Sequence, residues 1–299
     1  MSSENIAGGV IIPMVTPFKT DGTIDTGAAE KLTRHVVDGG AAPFVLGTTG
    51  ESASIPADER LNMVRATLDA AKGSAPVYAG ISSNNLTESR SFARAYFDLG
   101  VDAVVAHMPA YYQLTDAYLF RYFTDLADTI SGPLILYNIT AVTHQSLSLE
   151  VIDRLSHHPR IIGVKDSERD QQRFDRSLKL WAGRTDFKFL VGWGAVMAES
   201  LLQGAAGIVP STGNIVPELY VDLYRAAVSG DRSAAMQYQE RTSEISKIYQ
   251  GGLTLGESLA ALKVILSGLG LCEKNILPPL YRLSPGQEAA IQEQYDKYR

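Results

Sequence analysis

Lys165 closes the apolar run Ile161-Ile162-Gly163-Val164, so a primary amine is carried to the end of a segment suited to burial. Burial disfavours an ammonium ion, and the free amine it leaves attacks a ketone to give an imine. The competing use of such a lysine is an ion pair with Asp166 or another carboxylate. Tyr137 ends a second apolar run, Leu134-Ile135-Leu136. A phenol beside the amine can protonate the water that leaves as a lysine condenses with a ketone, then act as a base at the substrate oxygen. Alone, Tyr137 would equally suit a core position with its hydroxyl tied to the backbone; the pairing with Lys165 favours chemistry.

Gly47-Thr48-Thr49-Gly50 offers small residues, two hydroxyls and accessible backbone N–H groups. Such a turn holds a carboxylate without a cationic side chain and lets hydroxyls relay protons. Glu51 either joins that function or braces the loop. Between Leu190 and Val216 there is no Lys or Arg, although Gly192, Gly194 and Gly213 leave amides accessible, so a phosphorylated substrate is disfavoured.

These groups converge only if the runs that carry them lie side by side. Eight short apolar runs alternate with longer segments of helical period: Val10 to Met14, Phe44 to Gly47, Val77 to Gly80, Ala103 to Ala106, Leu134 to Tyr137, Ile161 to Lys165, Phe187 to Val191 and Gly207 to Val209. Continuous apolar runs are expected of strands covered on both faces, and the βαβα alternation closes parallel sheets. The expected fold is α/β, a TIM (β/α)8 barrel, in which reactive groups sit at the carboxyl ends of the strands. An open doubly wound sheet is the rival; no G-x-G-x-x-G follows the first run. Ala57 to Lys72 is expected as a helix with Asp58 and Glu59 in its first turn, and Thr87 to Leu99 as one starting on Thr87. Past the eighth run, Pro217 to Val228, Asp231 to Ile248, Leu255 to Leu269 and Pro285 to Tyr298 have helical period, and the last three exceed what a barrel needs. The expected division is a barrel over residues 1–230 and a helical extension over 231–299 packed on it.

Composition narrows the classes. A net charge of −6 with interspersed signs argues against nucleic acid as a partner. No stretch approaches the roughly 18 apolar residues of a membrane helix, and Met1 to Gly9 has neither a basic segment nor an apolar core, so no membrane partner and a cytoplasmic location are expected. The five histidines lack metal-ligand spacing, so no metal is implied, and the single cysteine, Cys272, reads as packing.

Taken together, Thr16-Pro17-Phe18, Gly47-Thr48-Thr49-Gly50-Glu51, Pro109-Ala110-Tyr111-Tyr112, Tyr137-Asn138, Gly163-Val164-Lys165-Asp166-Ser167 and Leu277-Pro278-Pro279-Leu280 resemble the dihydrodipicolinate synthase and N-acetylneuraminate lyase family over nearly the whole chain. The resemblance implies a barrel with a helical extension, no metal or organic cofactor, and a homotetramer built as a dimer of dimers. By position it makes Lys165 the Schiff-base lysine and Tyr137 the proton-transfer phenol, with Thr48 and Thr49 as carboxylate-binding and relay hydroxyls. Tyr111 matches the tyrosine inserted across a subunit interface, and Gly192 and Val209 would line the pyruvyl pocket through their backbones.

The chain departs from the synthase pattern at Val142, five residues after Tyr137, where an arginine would grip aspartate semialdehyde. Losing that bidentate anchor costs on the order of 1.5 to 3 kcal/mol. Ile139 also replaces a customary proline. Thr140, Thr143 and His144, together with Ser167, suit a polyhydroxylated chain, and Trp193 is expected to floor a small pocket. These features resemble the 2-keto-3-deoxy sugar acid aldolases, so the substrates expected are pyruvate and an aldehyde. The alternatives are 4-hydroxy-tetrahydrodipicolinate synthesis, dehydration of a sugar acid through the same imine, and a non-catalytic sugar-acid-binding protein.

Overall fold

The computed structural model describes residues 8–299. Of the segment Met1 to Gly9, therefore, only Gly8 and Gly9 are described. Eight parallel strands close on themselves in chain order, β1 pairing with β8: β1 Gly9–Pro13, β2 Ala42–Val45, β3 Tyr78–Gly80, β4 Ala103–His107, β5 Leu134–Asn138, β6 Ile161–Asp166, β7 Lys188–Val191 and β8 Gly207–Ile208. The chain is a TIM barrel. Each expected run overlaps a strand, with ends shifted by no more than one residue except at β2, where both ends lie two residues earlier and the strand stops before Leu46-Gly47.

Around the barrel run α1 Thr26–Asp38, α2 Arg60–Ala71, α3 Leu86–Leu99, α4 Asp116–Thr129, the single turn α5 Thr140–Thr143, α6 Leu149–Leu155, α7 Gln171–Trp181, α8 Met197–Leu202 and α9 Pro217–Val228. Then come α10 Arg232–Gln250, α11 Leu255–Gly268 and α12 Pro285–Tyr298. Side-chain caps set most starts: the side chains of Asp25, Thr115, Ser148, Asp170 and Asp231 accept from first-turn amides, and Thr254–Glu257 and Ser284–Gln287 form capping boxes.

Two expected starts are corrected. The helix after Pro56 begins at Arg60 with Glu59 as its N-cap residue, and the Glu59 carboxylate accepts from the Ile24 amide and the Asn62 side chain instead of capping a first-turn amide. The next helix is capped by Asn85, which accepts from the Thr87 amide, so Thr87 lies inside it.

Alternation along each strand sorts the core in two. Ile11, Phe44, Tyr78, Val105, Ile135, Leu190 and Val209 fill the barrel interior, while neighbours such as Val104, Ala106 and Val164 pack under the helices. The register then sets a row across the strands near their carboxyl ends: His107 is opposite Tyr137, Tyr137 opposite Lys165, and Lys165 opposite Leu190. Among the described residues no helix is long and apolar enough to cross a membrane.

Candidate active site

On β6, alternation turns Lys165 into the barrel and Asp166 toward the helices. Lys165 is 5% exposed, with Nζ 4.0 Å from the centre of the Tyr137 ring and 5.1 Å from that of Phe44. It lines the interior cavity with Ile11, Tyr78, Val105, Leu190 and Val209. Among the described residues no carboxylate lies within ion-pairing distance of it. Asp166 is committed elsewhere: it accepts from Arg173 Nε at 2.8 Å, from Asn138 Nδ2 at 3.0 Å and from the Glu168 amide at 2.9 Å. Burial raises the Asp166 carboxyl above its ordinary range and Arg173 opposes that rise. The Lys165–Asp166 ion pair, one of the two uses open to Lys165, does not form.

Tyr137 is 4% exposed, and its hydroxyl makes no hydrogen bond with the described residues. The bland alternative for it, a hydroxyl tied to the backbone, is absent. Thr48 and Thr49 are half-buried, and their side-chain hydroxyls make no hydrogen bond with the described residues. Their loop is flanked by two left-handed residues that are not glycine, Leu46 at φ 58° and Glu51 at φ 56°. A conformation of that kind costs of order 1–3 kcal/mol and persists only where the surroundings over-determine it.

Glu51 shows what does so. Its carboxylate pairs with Lys263 on α11 at 2.5 Å and accepts from the Leu277 amide at 3.1 Å, while Thr16 Oγ1 donates to Gly50 O at 2.7 Å. Burial pushes Glu51 up and Lys263 down, and each is held toward its charged form by the other. Glu51 is thus the brace of the loop, and the C-terminal helices reach the Thr48–Thr49 turn through it.

The remaining expected residues divide. The Val209 side chain lines the cavity with Lys165, but its amide donates to Val191 O at 2.8 Å and is unavailable to a ligand. The Gly192 amide donates to Asp166 O at 2.7 Å, and a Cβ there would meet Ser167 Oγ at 2.1 Å. The N–H donors of Gly192 and Val209 are thus spent on the ladder, so a backbone contact from either residue to a ligand would run through its carbonyl. Thr140 opens α5 half-buried, its hydroxyl without a partner among the described residues, and Val142 packs against the barrel interior.

Three neighbours are not available as expected. The Thr143 hydroxyl donates to Ile139 O and Gln145 O, and His144 is exposed in a left-handed C-cap, so neither faces the cavity. Trp193 packs edge-on to Phe174 of α7, outside the barrel, and floors no cavity beside Lys165. Tyr111 and Tyr112 are 78% and 71% exposed and stack edge to face at 4.9 Å, and the Tyr111 amide is held by Asn84. Within one chain they do not reach the cavity.

The family model for the dihydrodipicolinate synthetase family matches residues 6–296. The chain belongs to that family. A 4-hydroxy-tetrahydrodipicolinate synthase of Pseudomonas aeruginosa is 32% identical over 93% of both chains. The dihydrodipicolinate synthase structure from Bacteroides thetaiotaomicron superposes with TM-score 0.91 at 34% identity, covering 98% of this chain and 99% of that one. A prophage protein of the family from E. coli K12, solved in complex with pyruvate, gives TM-score 0.91 at 26% identity over 98% and 99%. As a family member the chain is a lyase working through a lysine Schiff base.

Two residues of this family member escape a reading of runs and motifs. His107 extends β4 one residue past the apolar stretch Ala103 to Ala106, and its strand parity turns it into the barrel beside Tyr137. Counting on by two from Val105 would have found it. Lys263 lies in an apolar helix with no local sign that its partner is Glu51.

Proposed function

We propose that Lys165 forms the Schiff base with pyruvate, and that the enzyme cleaves or forms a C–C bond between pyruvate and an aldehyde. The observation that carries this reading is an amine 5% exposed, at the carboxyl end of a barrel strand, with no carboxylate among the described residues to hold it as a structural cation. Attack of Nζ on the C2 ketone expels water and gives an iminium, which accepts the electrons released as C3–C4 breaks. Tyr137, whose ring lies 4.0 Å from Nζ, handles the proton at the C4 hydroxyl. The hydroxyls of Thr48 and Thr49 take the pyruvyl carboxylate and relay protons.

The aldehyde half is read from α5. Val142 turns an apolar side chain to the interior cluster, and the free hydroxyl of Thr140, with Ser167 at the end of β6, suits a hydroxylated chain. This supports a 2-keto-3-deoxy sugar acid or a similar 4-hydroxy-2-oxo acid as substrate. The second reading, 4-hydroxy-tetrahydrodipicolinate synthesis, is supported by relatives of that name such as the 32% identical Pseudomonas enzyme. The exposed pair Tyr111–Tyr112 supports a homotetramer in which Tyr111 completes a neighbouring site.

Borohydride reduction in the presence of pyruvate tests the common core. A stable adduct is expected at Lys165, and an unmodified lysine under conditions that label a known aldolase overturns the assignment. Pyruvate release from 4-hydroxy-2-oxo acids, set against a coupled assay with aspartate semialdehyde, separates the two readings.

A further inference from the structure

His107 stands in one row with Tyr137 and Lys165, because β4, β5 and β6 pair in the register His107–Tyr137–Lys165. It shares parity with Ala103 and Val105, which fill the barrel interior, and its ring meets that of Tyr137 edge to face at 6.3 Å. Two contacts fix it. Its amide donates to Ser82 Oγ at 2.8 Å, and Nδ1 lies 2.7 Å from the Met108 carbonyl oxygen. A carbonyl only accepts, so Nδ1 carries the hydrogen, and in the neutral ring Nε2 is left as a bare acceptor. Nε2 has no hydrogen-bond partner among the described residues.

The surroundings keep the ring neutral. The titratable groups facing it are Tyr137 from β5 and Lys165 from β6; the β3 side offers the Ser82 hydroxyl, and no carboxylate pairs with it. Burial and the Lys165 charge both hold its pKa below the ordinary imidazole value, against the Met108 bond. The Tyr137 phenol, in turn, lacks an acceptor. A phenol that still carries its own proton takes up a substrate proton only if the first has somewhere to go.

We propose that His107 is that acceptor, a positioning and proton-holding residue that acts through Tyr137; the proposal rests on the assignment of Lys165 and Tyr137 above. With pyruvate bound as the Lys165 iminium, a C3–H bond breaks and its electron pair moves to the iminium nitrogen, giving the enamine. The C3 proton passes to the Tyr137 oxygen as the phenol's own proton passes to His107 Nε2. The reverse transfer restores the iminium, which water hydrolyses to pyruvate and free Lys165. In cleavage of a 4-hydroxy-2-oxo acid the same imidazole holds the proton from the C4 hydroxyl until C3 takes it.

The test needs only pyruvate. In D2O the enzyme exchanges the C3 hydrogens of pyruvate, a reaction followed by proton NMR, while borohydride trapping reports the imine separately. His107→Gln keeps a hydrogen-bonding group near the Nε2 position, and His107→Asn keeps a donor for the Met108 carbonyl. Neither side chain takes a proton. Both variants are expected to trap pyruvate at Lys165 as fully as the wild type and to exchange C3 hydrogens about 100-fold more slowly, in the range of general acid–base effects. The wild-type exchange rate is expected to fall as pH drops through the imidazole pKa, and the variants to lose that limb. A variant that traps pyruvate, exchanges within about threefold of wild type and keeps the acid limb overturns the proposal. Should neither variant fold, the 15N titration of His107 in the wild-type pyruvate complex decides: an exchange profile whose acid limb matches that midpoint supports the proposal, and one that stays flat across it sinks it. Failure of wild-type enzyme to trap pyruvate condemns the Lys165 assignment instead.

Discussion

Two lysines are sunk in this molecule, each over an aromatic ring, and only one is satisfied. Lys263 is fully buried on α11, over the Phe18 ring at 4.2 Å, with the Glu51 carboxylate at 2.5 Å and the Asn275 carbonyl at 2.7 Å. Lys165 is 5% exposed over Tyr137 and Phe44 and, among the described residues, has neither a carboxylate nor a carbonyl acceptor. A charge taken out of water is stabilised when it is paired and hydrogen-bonded, and costs several kcal/mol when it is not. The difference between the two sites is therefore a division of labour. Lys263 fixes the strained loop that presents Thr48 and Thr49, whereas Lys165 is left unsatisfied and so available to a substrate.

The sharpest way to break this comparison is Lys165→Met. It is expected to abolish pyruvate trapping and lower turnover by at least about 10⁴-fold, equivalent to about 5 kcal/mol of barrier. Because no partner is orphaned, the midpoint of thermal unfolding is expected to hold or rise. A loss of stability like that of a broken ion pair would show that Lys165 has a structural role after all.

Lys263→Met should behave in the opposite way. It strands the buried Glu51 carboxylate, for a cost of about 3–5 kcal/mol in urea unfolding. Adding Glu51→Gln is expected to recover part of that cost, since the amide still accepts from Leu277 without carrying a charge. If the two single losses simply add, the two residues do not act as a pair.

What could be read from the chain beforehand follows the same line between local and distant causes. All eight strands were legible, because a strand covered on both faces is apolar without interruption whatever its neighbours are. Lys165 and Tyr137 were legible because they end such runs. Helix starts at Arg60 and Leu86 were not, since Glu59 answers to the Ile24 amide across the chain and a one-residue choice of cap leaves no mark on periodicity. The Glu51–Lys263 contact joins residues far apart in sequence and had no local sign. Trp193, expected by the resemblance to floor a small pocket, follows the 3-10 turn geometry at Gly194–Val196 and packs its ring against Phe174 instead.

The pair Asp166–Arg173 sharpens the comparison from the outer side of β6. Arg173 also donates to Ser146 Oγ and Leu147 O, so it ties the end of β6 to the segment after α5. Arg173→Met leaves Asp166 buried with Asn138 and the Glu168 amide as its remaining donors. A loss of about 3 kcal/mol is expected, with the Asp166 carboxyl rising further and stability at pH 7 improving as pH is lowered. Pyruvate trapping at Lys165 is expected to survive, because the two side chains face opposite sides of the sheet. Loss of trapping with the fold intact would mean that Asp166 reaches the amine through the backbone it braces.

At the exposed end of the scale lies Arg184–Asp186, paired at 2.6 Å with Asp186 mostly in solvent. The Arg184 hydrogen bond lowers the Asp186 pKa from 3.8 to about 2. A carboxyl depressed in the folded state adds stability above its ordinary value and loses it as pH falls through the folded one. Asp186→Asn is therefore expected to cost something at pH 7 and little at pH 2. Solvent screening holds the difference under about 1 kcal/mol, despite the size of the pKa shift. Comparing the unfolding midpoints of wild type and variant at those two pH values measures it directly. An effect as large as that of Lys263→Met would break the ranking, because burial, and not the closeness of the ions, is what separates these pairs.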